Sequence, residues 1–403
     1  MGTNQSRGTT NVAPRPQILG LRSSEDNPYQ IQDDAEHNNL FVGGKLLIKS
    51  AFAGIWSMKD SPSKLCPLPR IGHFTAVDED NNFVYIGYGV SSKSELLNDV
   101  WKFNLSTFEW TQLNLTGNIA TPRCGSRAVY SDGKIYIFGG FKDPEYYGDL
   151  HVIDTNTNEV LFPVCRGFIP PPRSTPIMGI YNNKLYVLSG FYHTCDRNIN
   201  ILDLLSFTWT TIDSGISART AAPSVIYQSQ LFSYGGSQIG GVFSLDLETN
   251  KCDMLETRGP CPPITTMNAA MVLVENYVFF IGGKRGAQYT FVYTYDIKKQ
   301  WWFVFHIEPD GITLSFQDGY LNSHGLFMVP CYHSFSACYI KQKREILMFL
   351  GSQMIDPPPL FSIDIGDAMS FIHLRDDMYD ALMAFVTPKK SPELNDCDQY
   401  NDA

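Results

Sequence analysis

The chain has 403 residues, 43% of them apolar, with 32 glycines, 21 tyrosines, 26 phenylalanines and a formal net charge of −10. An acidic chain without a Lys/Arg run is poorly suited to nucleic acid, whose phosphates are held by clustered cations that displace counterions; the one doublet, Lys389 and Lys390, lies in a polar tail. There is no 18-residue apolar run, no apolar segment behind the polar N-terminus and no C-x-x-C pair among the nine cysteines, so the sequence offers no membrane-spanning helix, no signal peptide and no zinc-type spacing, and predicts reduced thiols in a cytoplasmic protein.

Residues 1–39 are polar and rich in Asn, Ser, Thr and Pro, a composition that predicts a disordered tail. The tail starts "MGTNQSRG", which fits the N-myristoylation pattern with Gly2 as acceptor and Ser6 in the required place. One myristoyl chain binds membranes weakly, with K on the order of 10⁴ M⁻¹, and Arg7, Arg15 and Arg22 add little. The expectation is a cytoplasmic protein with weak, reversible association at a membrane surface.

From residue 40 to 375 the chain repeats. "FVYIGYG" ends at Gly89, "KIYIFGG" at Gly140, "KLYVLSG" at Gly190, "QLFSYGG" at Gly236, "YVFFIGG" at Gly283 and "EILMFLG" at Gly351, in steps of 51, 50, 46, 47 and 68 residues. After each glycine a short strand ends near Asn104, Asp154, Asp203, Asp246, Asp296 and Asp364. Six residues on stand Trp110, Val160, Trp209, Cys252, Trp302 and Ser370. A third series precedes each unit: Pro69-Arg70, Pro122-Arg123, Pro172-Arg173 and Ala218-Arg219, fading to Pro262-Pro263-Ile264 and Pro330-Cys331-Tyr332-His333. Each unit reads as an antiparallel meander. Strand a follows the Pro-Arg, strand b ends at the glycines, strand c ends at the Asp and strand d starts at the Trp.

With three series in one period, the chain resembles the kelch repeat family over roughly residues 50–375. The resemblance implies an all-β fold: a kelch-type β-propeller of six four-stranded blades. A lone blade has two apolar faces and gains stability only by stacking on its neighbours. Ring closure draws on both chain ends. Residues 53–59, with Trp56, are a candidate d strand for the last blade, in competition with "SFIHL" at 370–374. "GGKLLIKS" at 43–50 is a further apolar stretch, and a seventh, composite blade is the alternative. Residues 303–329 hold an insertion, and "DDMYDALMAFV" at 376–386 a short helix within a polar C-terminal region, 376–403.

No H-E-x-x-H, G-x-S-x-G or phosphate-cradling glycine loop is present, so no catalytic residue, metal or cofactor is assigned. His193 and Cys195 lack a third ligand nearby. The E-x-x-x-D-x-x-x-H iron motif of plant specifier proteins, which are kelch propellers, is matched by Glu145 and Asp149, but Ile153 stands where its histidine belongs. The leading expectation is a non-enzymatic scaffold or adaptor. Its d–a loops carry Arg70, Arg123, Arg173 and Arg219, and its b–c loops carry Lys142, Tyr146, Tyr147, Tyr192, His193, Lys284 and Arg285. Kelch adaptors resemble this where arginines on that face grip acidic turns, so an acidic protein segment is the expected partner, with actin as one candidate. Too few residues precede the repeats for a BTB-type dimerisation domain, which implies a monomer. The alternative is a propeller enzyme, or a small-molecule or metal-binding protein, with its site in the central channel.

Overall fold

The structure, a computed structural model, describes residues 31–34, 39–42, 45–48, 54–192, 197–236, 240–305, 307–310, 319–321 and 327–366. Two compact units partition the chain, one of residues 1–52 and 367–403 and the other of residues 53–366. In the first, Ile31–Asp34, Asn39–Val42 and Lys45–Ile48 form a three-stranded antiparallel sheet. Lys45–Ile48, within the apolar stretch at 43–50, is the third strand of this sheet and not part of a seventh blade. The 370–374 and 376–386 segments lie outside the described residues.

The second unit is a six-bladed propeller. Blade 1 runs outward from Phe74–Asp78 through Phe83–Gly87 and Val100–Asn104 to Glu109–Gln112. Blades 2 to 5 repeat the order a-b-c-d, starting from Arg127–Ser131, Ile177–Tyr181, Ser224–Tyr227 and Ala270–Val274. In blade 6, strands Ser336–Ile340, Glu345–Phe349 and Leu360–Asp364 are completed by Gly54–Lys59, which pairs antiparallel with the third strand and places Trp56 opposite Ile363. The N-terminal candidate thus supplies the closing strand. Trp56, 3% exposed and stacked on Phe361 at 5.3 Å, takes the anchor position that the sequence spacing assigned to Ser370.

The core lies in the wedges between blades. Trp110 packs with Phe349 and Leu360 of blade 6, Trp209 with Phe138 and Val152 of blade 2, and Trp302 with Phe232 and Tyr234 of blade 4. Val160 is as buried as these tryptophans, because Leu113 and Leu115 of the preceding linker pack against its cluster. Cys252 is only half-buried. The acidic series ends strand c for a local reason. The side-chain oxygen of Asn104, Asp154, Asp203, Asp246 or Asp296 accepts the amides two and three residues ahead, at 2.8–3.2 Å, turning the chain into strand d.

The linkers add a further layer. Thr116–Gly117 runs parallel to the outer strand of blade 2, Arg166–Gly167 to that of blade 3, and Ile307–Pro309 to Gly54–Trp56 of blade 6. Arg258 bridges to Trp301 of blade 5 in the same sense. Ile307–Pro309 belongs to the expected insertion. Its later strand Phe327–Pro330 pairs with Tyr289–Thr290 of blade 5.

Candidate functional site

Strand b of each blade ends in two consecutive residues with positive φ: Tyr88-Gly89, Gly139-Gly140, Ser189-Gly190, Gly235-Gly236, Gly282-Gly283 and Leu350-Gly351. The turn leaves a carbonyl facing inward that no strand can pair. The arginine of the same blade fills that need. Arg70 Nη1 donates to Tyr88 O at 3.2 Å, Arg123 Nη1 to Gly139 O at 3.4 Å, Arg173 Nη1 to Ser189 O at 3.0 Å and Arg219 Nη1 to Gly235 O at 2.9 Å. Nε of the first three donates back to the carbonyl two residues earlier, Leu68, Thr121 or Pro171, at 3.0–3.1 Å.

For Arg70 and Arg123 the remaining charge is neutralised inside the fold. Arg70 forms a two-pronged pair with Asp99, at 2.6 and 2.9 Å, and Arg123 bonds Asp149 at 2.6 Å with its guanidinium 3.8 Å from the Tyr147 ring. Burial alone would raise the Asp99 carboxyl; the Arg70 pair and the Trp101 indole outweigh it and hold the pKa below the ordinary range. Arg219 has no such carboxylate among its bonds. It donates to Gly241 O and contacts Met254 Sδ, its Nε is unpartnered, and burial lowers its pKa to about 10.

The arginines are therefore 0–2% exposed. The expected electropositive ring at the channel mouth is corrected on this point: the guanidinium groups of Arg70, Arg123, Arg173 and Arg219 face turn carbonyls within the fold and are not presented to solvent. The motif series could not reveal this, because a loop arginine that reaches outward and one that folds back have the same spacing.

Other expected site residues do come together. Phe141–Lys142 and Glu145–Tyr146 form a two-stranded ribbon in the b–c loop of blade 2. Tyr146 lies 5.7 Å from Phe141, 6.1 Å from Phe191 and 5.3 Å from Tyr192 of blade 3, ring to ring. Phe191 and Tyr192 are each 39% exposed, and Lys142 is exposed beside them. Tyr147 is engaged with Arg123 below. Lys284 is exposed on blade 5, apart from this cluster in the ring order, while half-buried Arg285 donates to Cys331 Sγ at 3.3 Å and Tyr289 O at 3.1 Å. His193 and Gly2 lie outside the described residues.

Sequence reasoning missed Phe141, Phe191 and Arg127. The two phenylalanines follow the glycine pairs directly and look like strand continuation. Arg127 opens strand a of blade 2 without belonging to any repeating series; it is half-buried, and burial lowers its pKa to about 10. Asp149 and His151, from the comparison with the iron motif, are structural: Asp149 holds Arg123, and the buried His151 accepts or donates at Tyr88 Oη, 2.5 Å away, between the rings of Tyr88 and Phe162. Among the described residues no group of three His, Cys, Asp or Glu side chains is placed to hold a metal, the seven described cysteines are free, and no helix is long and apolar enough to cross a membrane.

Comparison with known proteins gives the same architecture a family. The KLHDC2/KLHL20/DRC7 Kelch-repeats domain matches residues 53–236 and 182–315. Bovine kelch domain-containing protein 2 is 24% identical over 290 residues, 61% of this chain and 71% of that protein. Its human counterpart is 24% identical over 214 residues, 44% of this chain and 53% of that protein. Kelch repeat-containing protein 2 of Saccharomyces cerevisiae is 28% identical over 179 residues, 38% of this chain and 20% of that protein. A rice tRNA wybutosine-synthesizing protein 2/3/4 is 36% identical, but over only 90 residues, 8% of its length. Propellers of this kind are in general protein-binding domains rather than enzymes. The paired glycine turns, the arginines that brace them and the family match together establish that this chain belongs to the KLHDC2/KLHL20/DRC7 Kelch-repeats family.

Proposed function

We propose that the protein is a non-enzymatic scaffold that binds a protein partner on the face formed by its b–c and d–a loops, centred on blades 2 and 3. The observation that supports this reading is the aromatic cluster of Phe141, Tyr146, Phe191 and Tyr192, partly exposed across two adjacent blades with Lys142 at its border. Clustered Tyr and Phe on a rigid frame supply large contact area at low entropic cost, as binding hot spots do. The preference for an acidic segment now rests on the exposed Lys142 and Lys284, since the four loop arginines are buried and bonded within the fold and Arg285 is half-buried on Cys331 and Tyr289. A segment that carries an apolar or aromatic residue flanked by carboxylates fits this surface best. Actin meets that description no better than other proteins. Gly2 acylation, with weak recruitment of a cytoplasmic protein to a membrane surface, is part of the same proposal.

The test is affinity purification from the native cell with wild type, Tyr146→Ala/Tyr192→Ala and Gly2→Ala, each checked for folding by thermal melting. A stoichiometric partner lost in the double variant supports the face; the same partner retained in full refutes it. Loss of membrane pelleting in Gly2→Ala alone supports the address.

A further inference from the structure

The outer edge of a blade is a strand with unpaired backbone groups, and five of the six blades cover one or two of three such atoms: the amide and carbonyl of the anchor residue and the carbonyl two residues before it. In blade 2, Asn158 O accepts from Thr116 N at 3.0 Å and Val160 O from Asn118 N at 3.1 Å. In blade 3, Phe207 O accepts from Arg166 N at 2.9 Å and Trp209 O from Phe168 N at 3.2 Å. In blade 5, Gln300 O accepts from Arg258 N at 3.3 Å and Trp302 N donates to Arg258 O at 2.7 Å. In blade 6, Asp310 N donates to Trp56 O at 2.9 Å. Blade 1 uses side chains instead: Ser61 Oγ donates to Phe108 O at 2.9 Å, and Trp110 N donates to Ser63 Oγ at 2.6 Å.

The corresponding groups of blade 4 are the carbonyls of Asn250 and Cys252 and the amide of Cys252. Among the described residues nothing covers them. The cause lies in the preceding linker. Blade 3's outer strand extends to Asp213, leaving only residues 214–218 before Arg219, whereas residues 113–122 and 162–172 make the same crossing from blades 1 and 2. The short linker turns inward, with Ile216 packed against the wedge that holds Cys252 and Met254.

We infer that the outer edge of blade 4, Cys252–Leu255, is a second binding site, which takes an extended arginine-glycine segment of a partner protein as a parallel fifth strand. The chemistry of the occupant is read from the segments that fill this position elsewhere in the ring. Thr116-Gly117, Arg166-Gly167 and Arg258-Gly259 each place a glycine with φ of 78–81° against the backbone of the anchor residue. A Cβ at Gly117 would lie 2.7 Å from Val160 O, and one at Gly167 or Gly259 would collide with the carbonyl of Trp209 or Trp302. Only glycine fits. The residue before the glycine is arginine in blades 3 and 5 and threonine in blade 2, while blade 6 has Glu308 at that place. Around blade 4's edge, Glu248, Asp253 and Glu256 are exposed, with Glu248 accepting from Tyr181 Oη at 2.8 Å, against the exposed Lys251 and Arg258, a net acidic balance that favours a cationic segment. Addition of a strand to an exposed edge supplies the affinity, and the glycine and arginine supply the selection. This site is on the rim and does not depend on the loop-face reading above.

The test uses the full chain and a labelled peptide copying residues 161–170, with serine at the Cys165 position, read by fluorescence anisotropy. Three results are expected. The peptide binds, and its Gly167→Val form binds at least about tenfold more weakly because the added carbons meet the edge carbonyl. Asp253→Lys/Glu256→Lys, a surface change that leaves the fold intact, weakens binding severalfold and makes it less salt-dependent. Replacing 214–218 with the ten-residue sequence of 113–122 covers the edge and abolishes binding. No binding by the wild-type chain, equal binding of the valine peptide, or equal binding by the charge-reversed chain overturns the inference. So does sedimentation showing that the wild-type chain dimerises while the linker-replaced chain does not, which would make the occupant a second copy of the protein.

Discussion

The amide of Gly351 donates to the carbonyl of Arg70 at 3.1 Å, bonding the last glycine turn of the chain to its first Pro-Arg. The same bond recurs at every junction: Gly89 to Arg123, Gly140 to Arg173, Gly190 to Arg219, Gly236 to Thr266 and Gly283 to Tyr332, at 2.7–3.0 Å. At four of the six junctions an arginine thus serves two blades at once. Its side chain braces the glycine turn of its own blade, and its carbonyl receives the turn of the blade before. Two sequence series that look independent are one closed circuit of hydrogen bonds, which sets the spacing of the blades and the position of the loops above them.

The arginines should differ in what their loss costs. Arg70→Met leaves the largely buried Asp99 carboxylate with only the Trp101 indole, and breaking such a pair costs about 3–5 kcal/mol. Arg219→Met strands no carboxylate and relieves a desolvated cation, so it should cost about 1–2 kcal/mol, the loss of its carbonyl bonds. Arg197→Ala, which breaks a pair exposed by 58% and 59%, should cost the least of the three, because water screens it. Urea titration of the three variants checks the order; equal losses for Arg70 and Arg219 would contradict the pairing argument.

Closure through the N-terminal strand makes a second expectation. Trp56→Ala removes a buried ring from blade 6 and should destabilise by about 3–5 kcal/mol. Deletion of residues 54–59 removes the outer strand on which both Leu360–Asp364 and Ile307–Pro309 pair. That deletion should broaden or split the thermal transition and expose Phe361 and Glu345 surroundings to hydrogen exchange, with blades 2 and 3 protected longest. Retention of a single sharp transition would mean another segment can close the ring.

The glycine turns separate backbone strain from crowding. Leu350 shows that the first turn position accepts a side chain at φ 61°, whereas Gly351, at φ 94°, has Phe335 Cβ 2.7 Å and His333 O 2.9 Å from where a Cβ would stand. Gly286 has a positive φ of 61° and nothing within 4 Å. Gly286→Ala should cost about 1 kcal/mol from conformation alone, and Gly351→Ala clearly more, measured by the shift in urea midpoint.

The blade pattern was legible because each anchor answers a local need that recurs in every copy: an Asp to turn strand c, a glycine to turn strand b, a large apolar residue in the wedge. Spacing also located Trp56 as a closing anchor, although it could not decide against Ser370, since pairing between chain ends leaves no period. What spacing cannot carry is direction. Arg123 and Lys142 are both loop cations in the sequence; one folds back onto Asp149 and a carbonyl, the other stays in solvent. Phe141 and Phe191 lie at the loop face for the converse reason, because the glycine pair re-aims whatever follows it. The bare edge of blade 4 is visible only as a step of 46 residues where 50 and 51 precede it, and its meaning depends on knowing what the longer linkers do.

Two buried histidines give the fold a defined response to acid. His73 bonds Ser336 Oγ through Nε2 at 2.8 Å and leaves Nδ1 unpartnered; His151 bonds Tyr88 Oη and likewise leaves Nδ1 unpartnered. Burial, reinforced by Arg70 and Arg127, lowers the His73 pKa to about 3. Burial also lowers His151 to about 3, with Asp149 opposing and Arg123 adding to the effect. Both folded-state values lie below the unfolded value near 6.5, so the unfolded chain binds the extra protons. Stability is full above about pH 6.5 and falls as pH drops toward 3, by up to about 1.4 kcal/mol per pH unit for each histidine. His333, lowered by burial and by Lys284, acts in the same direction. The carboxylates whose pKa is held down, such as Asp99 and Asp246, lose their contribution only below their ordinary value near 4, so the interval from 6.5 to about 4.5 reports the histidines. Urea midpoints at pH 7.5 and 5.0 should separate clearly for wild type and much less for His73→Asn/His151→Gln, which keeps neutral polar groups at both sites. An unchanged separation in the double variant would place the acid sensitivity elsewhere.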